Sequence, residues 1–395
     1  MAVIDGEHYP PVVRDALAEL PYEFAAAVRI GGAEKLRGGD DYGVPLAGGL
    51  EEAIAEHRPD VVVDLSDEPV LGPRARLALA SRALAAGVPY LGADFRFDPP
   101  VFEPFPLPAI AVIGTGKRVG KTAVVGHLAR LLANDREVVV VAMGRGGPPE
   151  PEVIHAAPAL DELLALSRSG RHAASDHLET AVLAGVTTVG CRRCGGGLAG
   201  ATFTANVLEG ARRAAELAPD LVVFDGSGAA IPPVAADVRI LVAHDLENGL
   251  NPYRALISDL VLTMSDELAA AAGALGRRAV TFDLRLRPLE PLEGRRVAVF
   301  TTGPARLDDL ENVVFASRSL ADRPRLVHEL EQTEADVYVV ELKAAAIDVV
   351  AEHAAARGVD VVLAANDVVA SGLDEVLLEL AEVAVGAEAR ENVWR

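Results

Sequence analysis

Residues 109–132 read AIAVIGTGKRVGKTAVVGHLARLL, and the reading of the fold turns on them. Ala109–Ile113 is an unbroken apolar run, the pattern of a strand buried on both faces of a parallel sheet. It stops at the glycine-rich turn Gly114–Thr122, after which apolar residues recur at helical spacing. Gly114, Gly116 and Gly120 allow backbone N–H groups to turn inward around an anion, and the first turn of the following helix adds its positive end. In such a loop Lys121 reaches the outer phosphates of a nucleotide and the Thr122 hydroxyl ligates Mg²⁺. The expected nucleotide cradle is therefore Gly114, Thr115, Gly116, Lys117, Arg118, Val119, Gly120, Lys121 and Thr122, with ATP and Mg²⁺ as its ligands. One position departs from the strict pattern, which wants glycine where Thr115 stands.

A second segment is the partner such a loop needs. Leu221–Ala229, LVVFDGSGA, is a buried-strand pattern ending in an acid and small residues. Asp225 there is the expected Mg²⁺ ligand, although a strand-end carboxylate can also cap a neighbouring turn. The loop resembles the GTxxxVGKT loop of dethiobiotin synthetase and its relatives, and DGSGA resembles their EGAGG segment. Guanine-reading proteins carry Asn-Lys-x-Asp after a late strand. Here Leu262–Asp266 is LTMSD and lacks the lysine, so ATP is preferred and Asp266 is the candidate for the base edge.

The whole chain alternates strand-like and helix-like segments, as parallel sheets covered by helices do. The expected fold is α/β in three units. A Rossmann-like N-terminal domain spans 1–108, a phosphate-loop core 109–291, and a smaller α/β domain 292–395. The proline-rich stretch DPPVFEPFPLP, Asp98–Pro108, reads as a linker after the first unit. No uncharged apolar run is long enough for a membrane span. With two cysteines and no basic or apolar leader at its start, the chain reads as cytoplasmic. Its formal net charge of −21 argues against nucleic acid as a partner. Only four of the 37 basic residues are lysine (Lys35, Lys117, Lys121 and Lys343), and two of those four lie in the glycine-rich turn.

Three segments supply more anion-binding capacity than a nucleotide needs. MGRGGPPE carries Arg145, SGRHAASDH carries Arg171, His172 and His177, and GCRRCGGGLAG carries Arg192 and Arg193. Arginine forks match phosphates and carboxylates bidentately. Cys191 and Cys194 frame the last pair. With no second cysteine pair they read as small packing residues, while a His-completed zinc site stays open as an alternative. In the N-terminal unit, polar turns bearing Asp5, His8, Asp64 and Asp67, with Gly31 and Gly32, follow strands, the edge at which ligands bind in open α/β sheets.

Taken together, IDGEHYPPV, DLSDEPVLG, GTGKRVGKT, GRGGPPEPEVI, CRRCGGGLAGATF with NVLEGARRA, and VFDGSGAAIPPV resemble the cyclic 2,3-diphosphoglycerate synthetase family. GRRVAVFTTGP and ELKAAAIDVVAEHAA resemble its C-terminal part more loosely. The resemblance implies ATP-dependent conversion of 2,3-diphosphoglycerate to its cyclic phosphoanhydride, with ADP and phosphate released. It also implies phosphorylation of 2-phosphoglycerate to the linear diphosphate. The residues read above then place Lys121, Lys117, Arg145 and Asp225 in the chemistry, and Arg145, His172, Arg192, Arg193, Asp5, His8, Asp64 and Asp67 around the substrate. The partner is then a small phosphorylated molecule, and no residue fixes the oligomeric state, for which a homodimer stays open. A dethiobiotin-synthetase-type ligase shares the loop and DGSGA but leaves the GCRRCGGG arginines unexplained. A nucleotide-dependent metallochaperone would use the Cys-x-x-Cys pair instead, and a 2-phosphoglycerate kinase without cyclisation would share the same motifs.

Overall fold

The computed structural model describes residues 1–31, 41–303, 306–343 and 346–387. Gly32, Lys35, Pro304, Ala344, Ala345 and the tail after 387 lie outside the described residues. The chain forms two compact units: Met1–Val101 with Asp245–Ser258, and Phe102–His244 with Asp259–Arg395. The first division falls inside the proline-rich stretch. The return of Asp245–Ser258 to the N-terminal unit has no counterpart in the sequence reading, because a short helix opened by Asn251-Pro252 looks like any other helix of the core.

In the first unit, six described strands form one sheet ordered Leu46–Ala47, Ala27–Ile30, Ala2–Asp5, Val62–Asp64, Tyr90–Leu91 and Arg96–Phe97. All pair in parallel except the last. The chain moves one way from Ala2–Asp5 and then resumes on its other side, so the topological switch falls between Ala2–Asp5 and Val62–Asp64. Both of these strands end in a buried aspartate.

The second unit carries two sheets. Its nine described strands of the larger sheet place Leu221–Asp225 between Val138–Gly144 and Ala109–Gly114, with Val238–Ala243 and Leu260–Thr263 continuing beyond. Ala109–Gly114 is buried at every position, as a parallel strand covered on both faces must be. Burying each of its valines or isoleucines contributes roughly 1.5–3 kcal/mol relative to exposure. The helix Lys121–Leu132 turns Val124, Val125, Leu128 and Leu132 toward that sheet.

The smaller sheet has five described strands, with Val337–Glu341 at its centre between Val297–Phe300 and Asp360–Val369. Its two edges, Asp283–Pro288 and Val313–Ser317, are not among the strands the sequence leads one to expect. Asp283–Pro288 begins by alternating exposed and buried residues, and Val313–Ser317 alternates half-buried and exposed ones, the weak signal of an edge strand. Asp283–Pro288 pairs antiparallel with Asp360–Val369, so these residues, read from sequence as the end of the core, belong to the C-terminal sheet. One apolar cluster runs from Val112 and Val125 through Leu284 to Val339 and Leu377. The phosphate-loop core and the C-terminal α/β part thus share a core. No helix among the described residues is long and apolar enough to cross a membrane.

Candidate nucleotide and phosphate site

The glycine-rich turn leaves the strand Ala109–Gly114 and returns as the helix beginning at Lys121. Gly120 makes that return at φ +91°, a left-handed backbone conformation that a side chain would strain. Thr115, in the place of the expected glycine, is buried. Its hydroxyl pairs with His244 Nδ1 at 2.7 Å and accepts from the His244 backbone N–H at 3.1 Å. This threonine ties the turn to the end of the neighbouring strand Val238–Ala243.

Asp225 ends the strand adjacent to the turn's own, in register with Val112. Its Oδ1 takes the Lys121 ammonium. Its Oδ2 is buried and has no hydrogen-bond partner. Burial pushes its pKa up to about 6, with Asp176 adding to the rise and Lys121 and Lys343 opposing it.

Beyond Asp225, Gly228 sits at φ +60°, and a Cβ there would lie 2.6 Å from Arg145 Nη2. Glycine at this left-handed position lets the guanidinium lie against the backbone. Arg193 reaches the same turn. Its Nη2 donates to Ser227 O at 2.7 Å and its Nη1 to Gly195 O at 2.9 Å. Partial burial and the neighbouring Arg145 charge lower its pKa. Two guanidiniums crowd one turn, an arrangement that an anion relieves.

A cavity of about 540 Å³ joins these pieces. Gly116, Lys117, Arg118, Val119, Gly120, Lys121 and Thr122 line it with Arg145, His172, Ser227 and Gly228. The structure therefore brings Lys117, Lys121, Thr122, Arg145 and His172 together beside Asp225. It separates Arg192 from Arg193. The two occupy successive positions on the strand Thr187–Cys194, so their side chains leave opposite faces, and Arg192 is exposed while its backbone N–H bonds Asn206 Oδ1 at 2.7 Å. Asp266 does not line the cavity. It is exposed in the first turn of the helix Asp266–Ala274, where Ser265 caps Leu268 N at 3.3 Å.

The N-terminal candidates form a cluster of their own at the switch point of their sheet. Asp5 accepts from the backbone N–H groups of Glu7, His8 and Asp67 at 2.8–3.2 Å and from His8 Nδ1 at 2.7 Å. His8 Nε2 lies 3.3 Å from Asp67 Oδ2. Asp64 accepts from Ser66 N, Ser66 Oγ, Arg76 Nε and Tyr90 Oη.

Cys191 is fully buried and abuts Gly210, and burial raises its thiol to about 12. Cys194 is exposed. A separation of three along an extended strand sends their sulfurs to opposite faces.

Sequence reasoning missed part of the cavity wall: Asp176 and Glu179 on one helix, and Thr302, Arg323, Glu341, Lys343 and Asn366 from the C-terminal sheet and its loops. A usable signal was present in VYVVELK, a buried strand ending in an acid and one of four lysines.

A glycine-rich turn between a buried parallel strand and a helix, with its lysine held by a strand-end aspartate, defines a P-loop nucleotide-binding enzyme. Sequence comparison agrees across the chain. Residues 109–277 match "Cyclic 2,3-diphosphoglycerate synthetase, P-loop domain", residues 1–98 that family's N-terminal domain, and residues 288–367 its C-terminal domain. Proteins named cyclic 2,3-diphosphoglycerate synthetase from Rubrobacter xylanophilus and Thermococcus kodakarensis are 48% and 40% identical to this chain. The first alignment covers 97% of both proteins, the second 98% of this chain and 100% of the relative. The chain belongs to the cyclic 2,3-diphosphoglycerate synthetase family, and it is an ATP-dependent synthetase. Among solved structures, the apo form of LpxK from Aquifex aeolicus in complex with ATP overlaps 72% of this chain and 90% of its own, at a TM-score of 0.44 and 15% identity. That overlap is too low to carry a conclusion.

Proposed function

We propose that this chain joins the two phosphates of 2,3-diphosphoglycerate into the cyclic phosphoanhydride at the expense of ATP, and that it also phosphorylates 2-phosphoglycerate. The observation that carries the proposal is the convergence of Lys117, Lys121 and Arg145 on one cavity beside Asp225, whose Oδ2 is buried and free. A substrate bearing two phosphates and a carboxylate repels itself as its phosphates approach, and clustered cations suppress that repulsion.

In the first step an oxygen of one substrate phosphate attacks the γ-phosphorus of ATP and ADP departs. In the second, an oxygen of the other substrate phosphate attacks the phosphorus of the newly phosphorylated group. A phosphorus–oxygen bond closes the ring, and inorganic phosphate leaves with the γ-phosphorus. Phosphate oxygens are already nucleophiles at neutral pH, so positioning and charge neutralisation supply most of the catalysis. Lys121 exchanges Asp225 for the outer phosphates, Lys117 neutralises the same group, and Arg145 holds the substrate phosphate. Arg193 fixes the turn that carries Arg145's contact. The donor set suits a hard cation: Asp225 Oδ2 and the Thr122 hydroxyl would hold Mg²⁺, which would neutralise charge on the phosphate chain. Within the N-terminal unit Asp5 and Asp64 have their oxygens committed, and both ring nitrogens of His8 face the carboxylates of Asp5 and Asp67.

A ³¹P NMR spectrum of the protein with MgATP and 2,3-diphosphoglycerate tests this. Cyclic product with stoichiometric ADP and phosphate is expected. Only unchanged substrate, or ATP hydrolysis without ring closure, would overturn it. 2-Phosphoglycerate in the same assay reads the kinase activity as linear diphosphate.

A further inference from the structure

The cavity has a second charged wall, built by the C-terminal sheet. Val337–Glu341 is a fully buried central strand, and the chain leaves it through Leu342 and Lys343 into the cavity. Glu341 is buried and closed: Thr302 donates to it from N and Oγ1, and Asn366 from Nδ2. Lys343 is different. Its ammonium contacts Glu179 on the helix Asp176–Ala184 of the phosphate-loop core, yet about a third of its side chain remains exposed.

Charge around this lysine is out of balance. Glu179 in contact, with Glu341 and Asp176 nearby, makes three carboxylates around one ammonium. Burial pulls Lys343 toward neutrality, but those acids outweigh it and its pKa ends above that of a free lysine. Burial drives Glu179 the other way, up to about 7, with Lys343 holding it down and Asp176 and Glu341 lifting it. Lys343 also bears on Asp225 at the phosphate loop. A lysine whose charge its neighbouring acids favour, and which is partly open, thus stands on the same cavity as Lys121 and Arg145, in contact with Glu179. Arg323, the other cation of this wall, is already paired with Asp348.

We propose that Lys343 binds a phosphate of the second substrate, exchanging Glu179 for it, so that the C-terminal domain completes the substrate site. The proposal rests on the function assigned above. Lys121 serves the nucleotide from one wall and Lys343 serves the phosphorylated substrate from the other. The fused apolar core keeps the two walls in register.

A simpler role competes with this one: Lys343 could serve only to neutralise buried Glu179. Lys343→Met alone cannot separate the two, because it strands a buried carboxylate and so destabilises the fold. The double variant Glu179→Gln/Lys343→Met removes both charges and settles it. Binding of 2,3-diphosphoglycerate and of MgATP to the full chain is measured by calorimetry, with turnover followed by ³¹P NMR. Losing a charge-assisted bond to phosphate predicts a Kd for 2,3-diphosphoglycerate raised about tenfold or more, with MgATP affinity within about threefold. Glu179→Gln alone should keep or tighten substrate affinity, because it removes the carboxylate that competes with the phosphate and leaves Lys343 in place. Wild-type substrate affinity in the double variant would overturn the inference while leaving the proposed reaction intact. Failure of the wild-type protein itself to bind 2,3-diphosphoglycerate would overturn both.

Discussion

Two aspartates in this chain look alike in sequence. Asp64 ends VVVDLSDE and Asp225 ends LVVFDGSG: in each an apolar parallel strand stops at an acid, with serine two residues later. The likeness extends into the structure. An arginine donates to the carbonyl of that serine in both places, Arg76 to Ser66 O and Arg193 to Ser227 O, each at 2.7 Å. The carboxylates nonetheless have opposite fates. Arg76 also takes Asp64 Oδ2 at 2.8 Å, Tyr90 Oη joins it at 2.8 Å, and Ser66 donates twice to Oδ1. Asp225 has Lys121 alone, on one oxygen. A strand-end acid with all its lone pairs engaged holds a turn together. One kept dry and half-satisfied carries a desolvation cost that only an incoming cation repays.

The largest effect should come from Lys121→Ala. It removes the cation on Asp225 and the contact to phosphate together, and kcat should fall by about a thousandfold or more, with stability lowered as well because the buried Asp225 carboxylate loses its partner. Normal turnover would take the phosphate loop out of the chemistry.

Asp225→Asn comes next, at about a hundredfold in rate with a raised Mg²⁺ requirement. Its pH dependence sharpens the contrast. The folded pKa of about 6 lies above the ordinary 3.8, so the folded state binds the proton more tightly than the unfolded chain. Ionised Asp225 therefore costs stability above about pH 6, and that cost is relieved as pH falls through the window toward 3.8. Activity at limiting Mg²⁺ should decline over the same window as the carboxylate protonates. An asparagine variant with unchanged Mg²⁺ dependence and an unchanged pH profile would make Asp225 structural like Asp64.

Asp64→Asn is the mirror experiment. It leaves Arg76 and Tyr90 facing an amide in place of a carboxylate, and breaking such a buried pair costs about 3–5 kcal/mol. The unfolding transition of the N-terminal unit should shift down by roughly 10 °C or more with the Mg²⁺ requirement unchanged. An Asp64→Asn protein of normal stability but raised Mg²⁺ requirement would dissolve the distinction.

How much of this the sequence revealed follows from the same physics. The phosphate loop was legible because glycine spacing and a lysine before the helix are local requirements. The order of parallel elements was legible because buried strands are continuous apolar runs. The difference between Asp64 and Asp225 was not, because it depends on Tyr90 and Arg76 arriving from 26 and 12 residues away. The C-terminal wall was missed for the same reason: Lys343 meets Glu179 across 164 residues. Edge strands such as Val313–Ser317 escaped because half of each faces solvent.

Arg193 and Arg192 divide along this line too. If Arg193 keeps Asp225 open by anchoring Ser227, Arg193→Ala should weaken substrate turnover by about tenfold, the worth of a charge-assisted hydrogen bond. Arg192→Ala, on the exposed face, should stay within about twofold, since surface substitutions of this kind rarely exceed 0.5 kcal/mol. Steady-state kinetics on both variants would decide it. Equal losses would mean that the exposed arginine meets substrate.

The smallest effect is expected at the two cysteines, and it tests whether the region around Asp225 works through phosphate chemistry or through thiols. Cys191 lies at zero exposure, its sulfur in the space a side chain at Gly210 would fill, with burial holding the thiol protonated. Serine there swaps a weakly polar sulfur for a hydroxyl that the strand and helix leave little room to satisfy. The cost should be about 1–3 kcal/mol of stability with kcat nearly unchanged. Cys194 is exposed on the opposite face, and Cys194→Ser should alter neither stability nor rate. Phosphoryl transfer needs no thiolate, so the pair should respond as two unrelated residues. Joint loss of activity in both serine variants, with stability preserved, would instead tie the sulfurs to the reaction and would move the working chemistry from Asp225 and its cations to the Cys-x-x-Cys turn.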